Sequence, residues 1–144
     1  MTQITCRITP DYFPDAPPLC LTIRLNGQVL LDQAITEPVD FAHDISDDEA
    51  HHCLEFEMTN KTFAHSPWDS QGRSMGDCLL RIEHVQFDGI ELDQVFRKAA
   101  QYQHRRNNPA GELITEEFYE VMGCNGVIRF EFDSPTYLWL LENM

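Results

Sequence analysis

Apolar and polar residues alternate along much of this chain with a period of two, the pattern of a β-strand that has one face in a core. In the segment 51–59 the apolar residues occupy every second position: Leu54, Phe56 and Met58. The other positions of that segment are mainly polar: Cys53, Glu55, Glu57 and Thr59. Similar alternation predicts further strands at 2–8, 78–87 and 127–132.

A hairpin is predicted early in the chain. Asn26-Gly27 separates the apolar run 19–25 from the run 28–32. Asn-Gly readily takes the positive φ values that a two-residue hairpin turn requires. The segment 37–49 that follows is rich in acids and reads either as a loop or as a strand that crosses between two sheets.

A second turn of this kind, Asp88-Gly89, joins the strand 78–87 to the short run 90–92. Within 78–87 the alternation slips near His84 and Val85, which predicts a β-bulge. The segment 94–106 is left with two alternatives, a short helix or an extended stretch, because only part of it has helical spacing.

Other segments are predicted to be irregular or weakly structured. Prolines interrupt residues 10–18, and 60–77 reads as a long surface loop. Residues 112–122 are predicted to be a weak strand or a loop. Several short strands separated by turns favour a single domain over residues 1–144, an antiparallel β-sandwich of jelly-roll type with a short C-terminal helix. An open barrel is the second choice.

The end of the chain predicts a turn, a strand and a helix. Gly123-Cys124-Asn125-Gly126 forms the turn before the strand 127–132. Ser134 is the predicted cap of the helix and Pro135 its first residue, since both types are common at those positions. Trp139 is predicted to lie in the core.

Composition narrows the classes of function. A hydrophobic content of 42% supports a folded core, and a formal charge of −14 disfavours nucleic-acid binding. One basic cluster reads as a solvated loop or as a docking patch for an acidic partner: Arg97, Lys98, His104, Arg105 and Arg106. No run approaches the roughly 20 apolar residues that span a bilayer, and no signal peptide is evident, so no membrane role is expected.

Five cysteines lie far apart and include no Cys-x-x-Cys pair: Cys6, Cys20, Cys53, Cys78 and Cys124. This odd set fits neither a disulfide framework nor a zinc site. Cys20, Cys53 and Cys78 lie beside apolar strand patterns and are expected to pack as small hydrophobes with protonated thiols. Folding in a reducing cytoplasm follows from this interpretation.

Neither a catalytic motif nor a firm metal motif is found. His51 and His52 are neighbours on a strand and point to opposite faces, so they cannot readily share one ion. Two acidic groups lack the spacing of an EF-hand loop and read mainly as solvated faces: Asp44, Asp47, Asp48 and Glu49, and Asp88, Glu91 and Asp93. Serines near His65 and Asp69 form no nucleophile elbow. No enzyme, no catalytic residue and no metal ligand are predicted.

The best candidate for ligand binding is an aromatic platform. Trp68 lies in the polar loop 60–77 and could stack on a sugar ring or bury into a partner, with Phe63 and Tyr102 as neighbours. The alternative is that Trp68 anchors the loop over the edge of the core.

The chain resembles a group of small tailed-bacteriophage proteins that are treated as virion accessories. The resemblance is carried by Phe87-Asp88-Gly89-Ile90, by Gly123-x-Asn125-Gly126 before an aromatic strand, and by the tail Pro135-x-Tyr137-x-Trp139-Leu140-Leu141-Glu142-Asn143. It covers about two thirds of the chain. It implies a non-enzymatic structural or assembly protein of the virion, folded in the host cytoplasm, with other virion proteins as partners and homo-oligomers expected.

A second resemblance, to the β-sandwich modules that bind carbohydrate with calcium, is carried by the hairpin Leu25-Asn26-Gly27-Gln28 and by the later strand that ends in Asp88-Gly89. It implies the alternative function, a calcium-assisted carbohydrate-binding module. Calcium and a glycan partner are therefore left open, and no functional residue carries over from either group, because the acids match no calcium motif.

Overall fold

The computed structural model describes residues 1–11, 16–62, 71–72, 77–106 and 110–144. In them the chain forms two antiparallel sheets with two short helices. The antiparallel β-sandwich predicted from the alternation is confirmed, and the short C-terminal helix is present. Among the described residues, neither helix has the length and apolar character needed to cross a membrane.

One sheet contains five strands: β1 (Thr2–Asp11), β4 (Val39–Ile45), β6 (Leu79–Phe87), β7 (Ile90–Glu91) and β10 (Val121–Met122). Its order is β10-β6-β1-β4, with β7 also paired to β6. The acidic segment left open as a loop or a strand thus contains β4, which pairs with β1 after the chain has left the other sheet.

The other sheet contains six strands: β2 (Leu19–Leu25), β3 (Gln28–Ile35), β5 (Ala50–Thr59), β8 (Ala100–His104), β9 (Ile114–Glu117) and β11 (Gly126–Ser134). Its order is β3-β2-β5-β11-β8-β9. In β5 the predicted apolar positions are buried, and the alternate positions form the outer face. Gly126 begins β11 where a Cβ atom would lie 2.4 Å from the carbonyl oxygen of Gln103, so only glycine fits there.

The predicted hairpin of β2 and β3 is confirmed, and its turn is tied to the neighbouring strand. Asn26 has a φ of 52° and Gly27 a φ of 84°, as the two-residue turn requires. The amide of Asn26 donates to the carbonyl of Cys53 at 2.9 Å, and the amide of Cys53 donates to Oδ1 of Asn26 at 2.8 Å. The asparagine therefore extends the pairing of β5 beyond the end of β2.

The helices are α1 (Gln94–Ala99) and α2 (Thr136–Asn143). Both alternatives for 94–106 are realised in part, since β8 begins as soon as α1 ends. Trp139 is buried as predicted, and its ring lies 6.1 Å from that of Phe87 in one sheet and 5.6 Å from that of Phe130 in the other. Through Trp139, α2 closes one end of the sandwich and contacts both sheets.

The predicted start of α2 is wrong. Ser134 is not a helix cap, because it is the last residue of β11 and pairs with Ala50 of β5. Its hydroxyl donates to the carbonyl of Asp48, and no side chain among the described residues caps α2. Pro135 follows a cis peptide bond and lies one residue before the helix rather than at its first position.

The cysteines divide between the core and the outer faces. Cys78 is buried as predicted, and so is Cys6, where burial raises the pKa of the thiol to about 12. Cys20 and Cys53 are only half-buried, because they occupy the outward positions of β2 and β5. Their expected place as core hydrophobes is therefore wrong.

Candidate functional site

A cleft of about 900 Å³ opens between β6, α1 and the residues that join β9 to β10. Its floor is apolar and comes from three parts of the chain: Ile82, Val85, Phe96 and Phe118. The ring of Phe96 meets that of Phe118 edge to face, with centroids 6.2 Å apart. Apolar floors surrounded by polar groups are typical of sites that bind small molecules.

An exposed tyrosine and an arginine form one wall of the cleft. Tyr119 is 55% exposed, and the guanidinium carbon of Arg97 lies 3.9 Å from the centroid of its ring. The hydroxyl of Tyr119 donates to Oε2 of Glu117 at 2.7 Å, and this hydrogen bond raises the pKa of the tyrosine. These contacts fix the orientation of a large exposed ring beside the cleft.

A histidine and a glutamate form the opposite wall. Nδ1 of His84 lies 2.9 Å from Oε1 of Glu91, and Gln86 donates to the same oxygen at 2.7 Å. The hydrogen bond to Glu91 raises the pKa of His84, and the hydrogen bonds from Gln86 and His84 lower the pKa of Glu91. His84 is therefore a cation over a wider pH range than an isolated imidazole.

Three carboxylates on the lip of the cleft can accept hydrogen bonds from a ligand. Glu83, Asp93 and Glu120 line it, and within the described residues no side-chain hydrogen bond or ion pair engages them. Gln94 adds an amide that can both donate and accept. The cleft thus offers acceptors, donors and one aromatic ring around an apolar floor.

The backbone of the lip is strained at several positions. His84, Asp93 and Glu120 have φ values of 54°, 43° and 72°, a region that residues other than glycine rarely adopt. His84 also stands in the predicted bulge, which is confirmed: the register of β6 against β1 shifts between Thr5 and Arg7. Strain of this kind is concentrated at binding and catalytic sites.

The predicted aromatic platform is described only in part. Phe63 and Trp68 lie outside the described residues, and their proposed contact with a ligand stays a prediction. Tyr102 is 4% exposed, and its hydroxyl donates to the carbonyl of Cys124 and accepts from the amide of that residue. This packing gives Tyr102 a structural role, because it holds the turn before β11.

The acidic and histidine clusters are engaged in local contacts. Oδ2 of Asp47 binds the N-terminal ammonium at 2.6 Å, and Oδ1 of Asp88 accepts from the amide of Gln3 at 2.8 Å. His51 lies on the outer face, whereas the ring of His52 stacks on Phe132 with centroids 5.2 Å apart. Across the described residues, no three His, Cys, Asp or Glu side chains converge as metal ligands.

Three members of the basic cluster make local contacts within the protein. Arg97 covers Tyr119, Arg105 donates to the carbonyl of Gly111 at 2.7 Å, and His104 is buried against Glu116 with Nε2 2.8 Å from Oε1. Docking of an acidic partner on this cluster stays a prediction.

One hydrogen-bonded chain brings together a serine, a histidine and an asparagine. Oδ1 of Asn26 accepts from the backbone, so its amide nitrogen donates to Nδ1 of His52 at 3.0 Å. The proton of the ring must then be on Nε2, which donates to Oγ of Ser134 at 2.9 Å. Burial lowers the pKa of His52, in agreement with this neutral form.

This chain of contacts is arranged for packing and not for nucleophilic attack. A general base must offer a lone pair to the serine proton, but Nε2 of His52 donates a proton instead. The proton of Ser134 goes to the carbonyl of Asp48. The three residues tie the first hairpin, the middle of the six-stranded sheet and the end of β11 together.

Comparison with known proteins gives the fold and little more. No family model matches the chain, and no curated protein matches it. A solved structure described as vCBM60 in complex with galactobiose is 16% identical, with a TM-score of 0.50 over 89% of this chain and 96% of that one. A selenomethionine form of vCBM60, whose description links two families of calcium-dependent carbohydrate-binding modules by circular permutation, is 16% identical with a TM-score of 0.48 over 90% of each chain.

The first of these likenesses shows a β-sandwich of the carbohydrate-binding-module kind. The predicted kinship with phage virion proteins gains no support from it, since that structure is named vCBM60. The place in a virion stays a prediction.

Sequence reasoning missed the cleft. Tyr119 lies in the segment predicted as a weak strand or loop and is not among the predicted ligand-binding residues, and Arg97 is named only as part of the basic cluster. The available signals were the slip of alternation at His84 and a Phe118-Tyr119 pair standing among glutamates.

Proposed function

We propose that the protein is a non-catalytic module that binds a glycan in the cleft between β6, α1 and the β9–β10 connection. The observation that carries the proposal is the exposed ring of Tyr119, held in place by Arg97 beside an apolar floor. A sugar ring has apolar C–H faces that can pack on an aromatic ring and hydroxyls that need donors and acceptors. The cleft supplies both.

Two further features support a glycan over other small ligands. The lip is dominated by neutral and acidic groups, which suit hydroxyls and disfavour phosphates or other anions. The β-sandwich is the fold of vCBM60, a protein whose structure holds galactobiose. The identity of 16% carries the fold alone, so the choice of sugar follows from experiment and not from the likeness.

The test is binding of soluble oligosaccharides, galactobiose among them, by the protein and by Tyr119→Ala. A glycan array selects the ligand, and calorimetry measures its affinity. Loss of an aromatic anchor of this kind costs about 2 kcal/mol, which is roughly a 30-fold weaker affinity. Tyr119→Ala is expected to weaken binding by that amount without unfolding the protein, because the ring is mostly exposed.

Tyr137→Ala is the matched control, since Tyr137 is also an exposed tyrosine, at 61%, but lies on α2 away from the cleft. It should bind glycan like the unaltered protein. Equal affinity in Tyr119→Ala and the unaltered protein would refute the cleft as the site. A blank array, with and without calcium, would refute glycan binding altogether.

The proposal that calcium assists binding rests on the sequence resemblance alone. Two measurements distinguish a calcium-dependent site from the cleft. A chelator that removes binding while Tyr119→Ala leaves it intact would move the site to residues outside the described ranges, with Trp68 as the candidate platform. Binding that survives the chelator and is lost in Tyr119→Ala supports a cleft that works without a metal.

A further inference from the structure

The C-terminal helix α2 is apolar on two faces, and only one of them is covered. Trp139 and Leu140 are buried against the sandwich. The outward face carries Tyr137, Leu138 and Leu141, which are 61%, 47% and 70% exposed. A helix that is apolar on both faces is normally covered on both, so this face has the character of an interaction surface.

Beside this face lies a groove of about 650 Å³ between α2, the start of β5 and the end of β11. Pro135 and Leu138 contribute its apolar part. Four carboxylates stand around it: Asp47, Glu49, Asp133 and Glu142. The face and the groove together form a continuous surface, the α2 surface, with an apolar centre and an acidic edge.

Two of these carboxylates already have contacts within the protein, and two are left for a binding partner. Asp47 holds the ammonium of Met1 at 2.6 Å, and Oδ1 of Asp133 lies 2.7 Å from Nδ1 of His51. Within the described residues, no hydrogen bond or ion pair engages the side chains of Glu49 and Glu142. The edge is therefore negative and lies next to apolar side chains that are not covered.

We propose that the α2 surface binds a segment of another polypeptide that carries both apolar and basic side chains. Aliphatic side chains of such a segment would cover Leu138 and Leu141, and its lysine or arginine groups would pair with Glu49 and Glu142. Burial of exposed aliphatic side chains supplies affinity, and the carboxylates select a cationic partner.

The charge of the surface disfavours other occupants. A second copy of the chain, related by a two-fold axis, would bring one acidic edge against another. The formal charge of −14 per chain adds to that repulsion. Anionic membranes are repelled for the same reason. Partner binding here is separate from the cleft, because none of the described residues lines both the cleft and the groove.

The test uses an amphipathic peptide of about four helical turns, built from leucine and lysine, and its twin with glutamate in place of every lysine. The full-length protein is titrated with each by fluorescence anisotropy. The lysine peptide should bind with an affinity in the micromolar range, and the glutamate twin should not bind measurably. The double variant Leu138→Ser with Leu141→Ser should lower the affinity for the lysine peptide at least about tenfold.

Glu49→Gln with Glu142→Gln should weaken binding about fivefold and reduce its dependence on salt. The matched controls are Val29→Ser with Leu113→Ser, at sites 53% and 50% exposed, and Glu37→Gln with Glu112→Gln, also exposed. They should bind like the unaltered protein. The oligosaccharide titration of the same variants separates this proposal from glycan binding, which Leu138→Ser with Leu141→Ser should leave unchanged.

Several results would overturn the proposal. They are equal binding of the two peptides, no binding of either, and equal loss in the test and control variants. Sedimentation that shows a dimer, abolished by Leu138→Ser with Leu141→Ser, would assign the surface to a second copy instead. Association with uncharged vesicles, lost in the same variant, would assign it to lipid.

Discussion

The cleft and the outer face of the six-stranded sheet are both polar surfaces, but they differ in how their charges are used. On the sheet face, Arg24 binds Glu57 at 3.0 Å and Glu55 at 3.6 Å, and Arg129 lies 3.8 Å from Glu55. In these pairs the charges neutralise one another across neighbouring strands. Such ladders stabilise a sheet modestly and leave few groups for a ligand.

The cleft is built in the opposite way. Its arginine covers a tyrosine ring instead of a carboxylate, and three of its acids have no side-chain partner among the described residues. Its floor is also apolar. The difference teaches that the density of charge does not reveal a binding surface. Unused hydrogen-bonding groups beside an open ring are the better sign.

The largest expected effect comes from removing the floor. Phe118→Ala deletes a side chain that is 2% exposed and should lower the free energy of unfolding by about 3–5 kcal/mol. Phe132→Ala, with a ring 1% exposed at the other end of the core, should cost a similar amount. Denaturant unfolding measures both. Glycan affinity of the folded protein should fall only in Phe118→Ala. An equal fall in both variants would show that the floor of the cleft has no specific role in glycan binding.

A smaller effect distinguishes the two arginines. Arg97→Ala removes the cation over Tyr119 and should weaken glycan binding a few-fold, since such contacts contribute about 0.5–1 kcal/mol at exposed sites. Arg129→Ala breaks a pair of the sheet face and should leave glycan affinity unchanged, with a stability loss below about 1 kcal/mol. Calorimetry on both variants decides. If Arg129→Ala lowers the affinity for the glycan as much as Arg97→Ala does, the sheet face takes part in binding.

The smallest effect is a titration. The pKa of His84 is raised by its hydrogen bond to Glu91, so its NMR midpoint should lie above the ordinary value of 6.5 and move back towards it in Glu91→Gln. The folded pKa of His84 exceeds the unfolded one and the folded pKa of Glu91 lies below its ordinary value of 4.5, so this pair stabilises the protein fully between about pH 4.5 and pH 6.5. That contribution is lost as the pH rises through the folded pKa. A midpoint at or below 6.5 in the unaltered protein would contradict the contact.

Local pattern was enough to predict the elements whose signal lies within a few residues. Asn26-Gly27 predicted the first hairpin, alternation predicted β5 and β11, and the slip at His84 predicted the bulge. Each depends on a period or a turn that a short stretch of sequence contains. The helix start at Ser134 was wrong, because pairing with β5 extends β11 through a residue that is also a common cap.

The cleft could not be predicted from the sequence. It needs β10 beside β6, but β10 has only Val121 and Met122 and shows no period. It also needs Tyr119 to remain exposed while Phe118, the preceding residue, is buried. The weak strand pattern of this segment does not indicate which of the two rings is buried. Tyr102, named from the sequence only as a neighbour of Trp68, has its ring in the core, because the pairing of β8 with β11 places it there.

The bulge in β6 has a consequence for the length of the chain. Ile82, Val85 and Phe87 face inwards, and Glu83 and Gln86 face outwards. Without His84, these five residues would alternate perfectly and lie opposite consecutive residues of β1. His84 is thus an extra residue within a central strand. A chain from which this one residue is deleted could form the same sandwich, but it would lack part of one wall of the cleft.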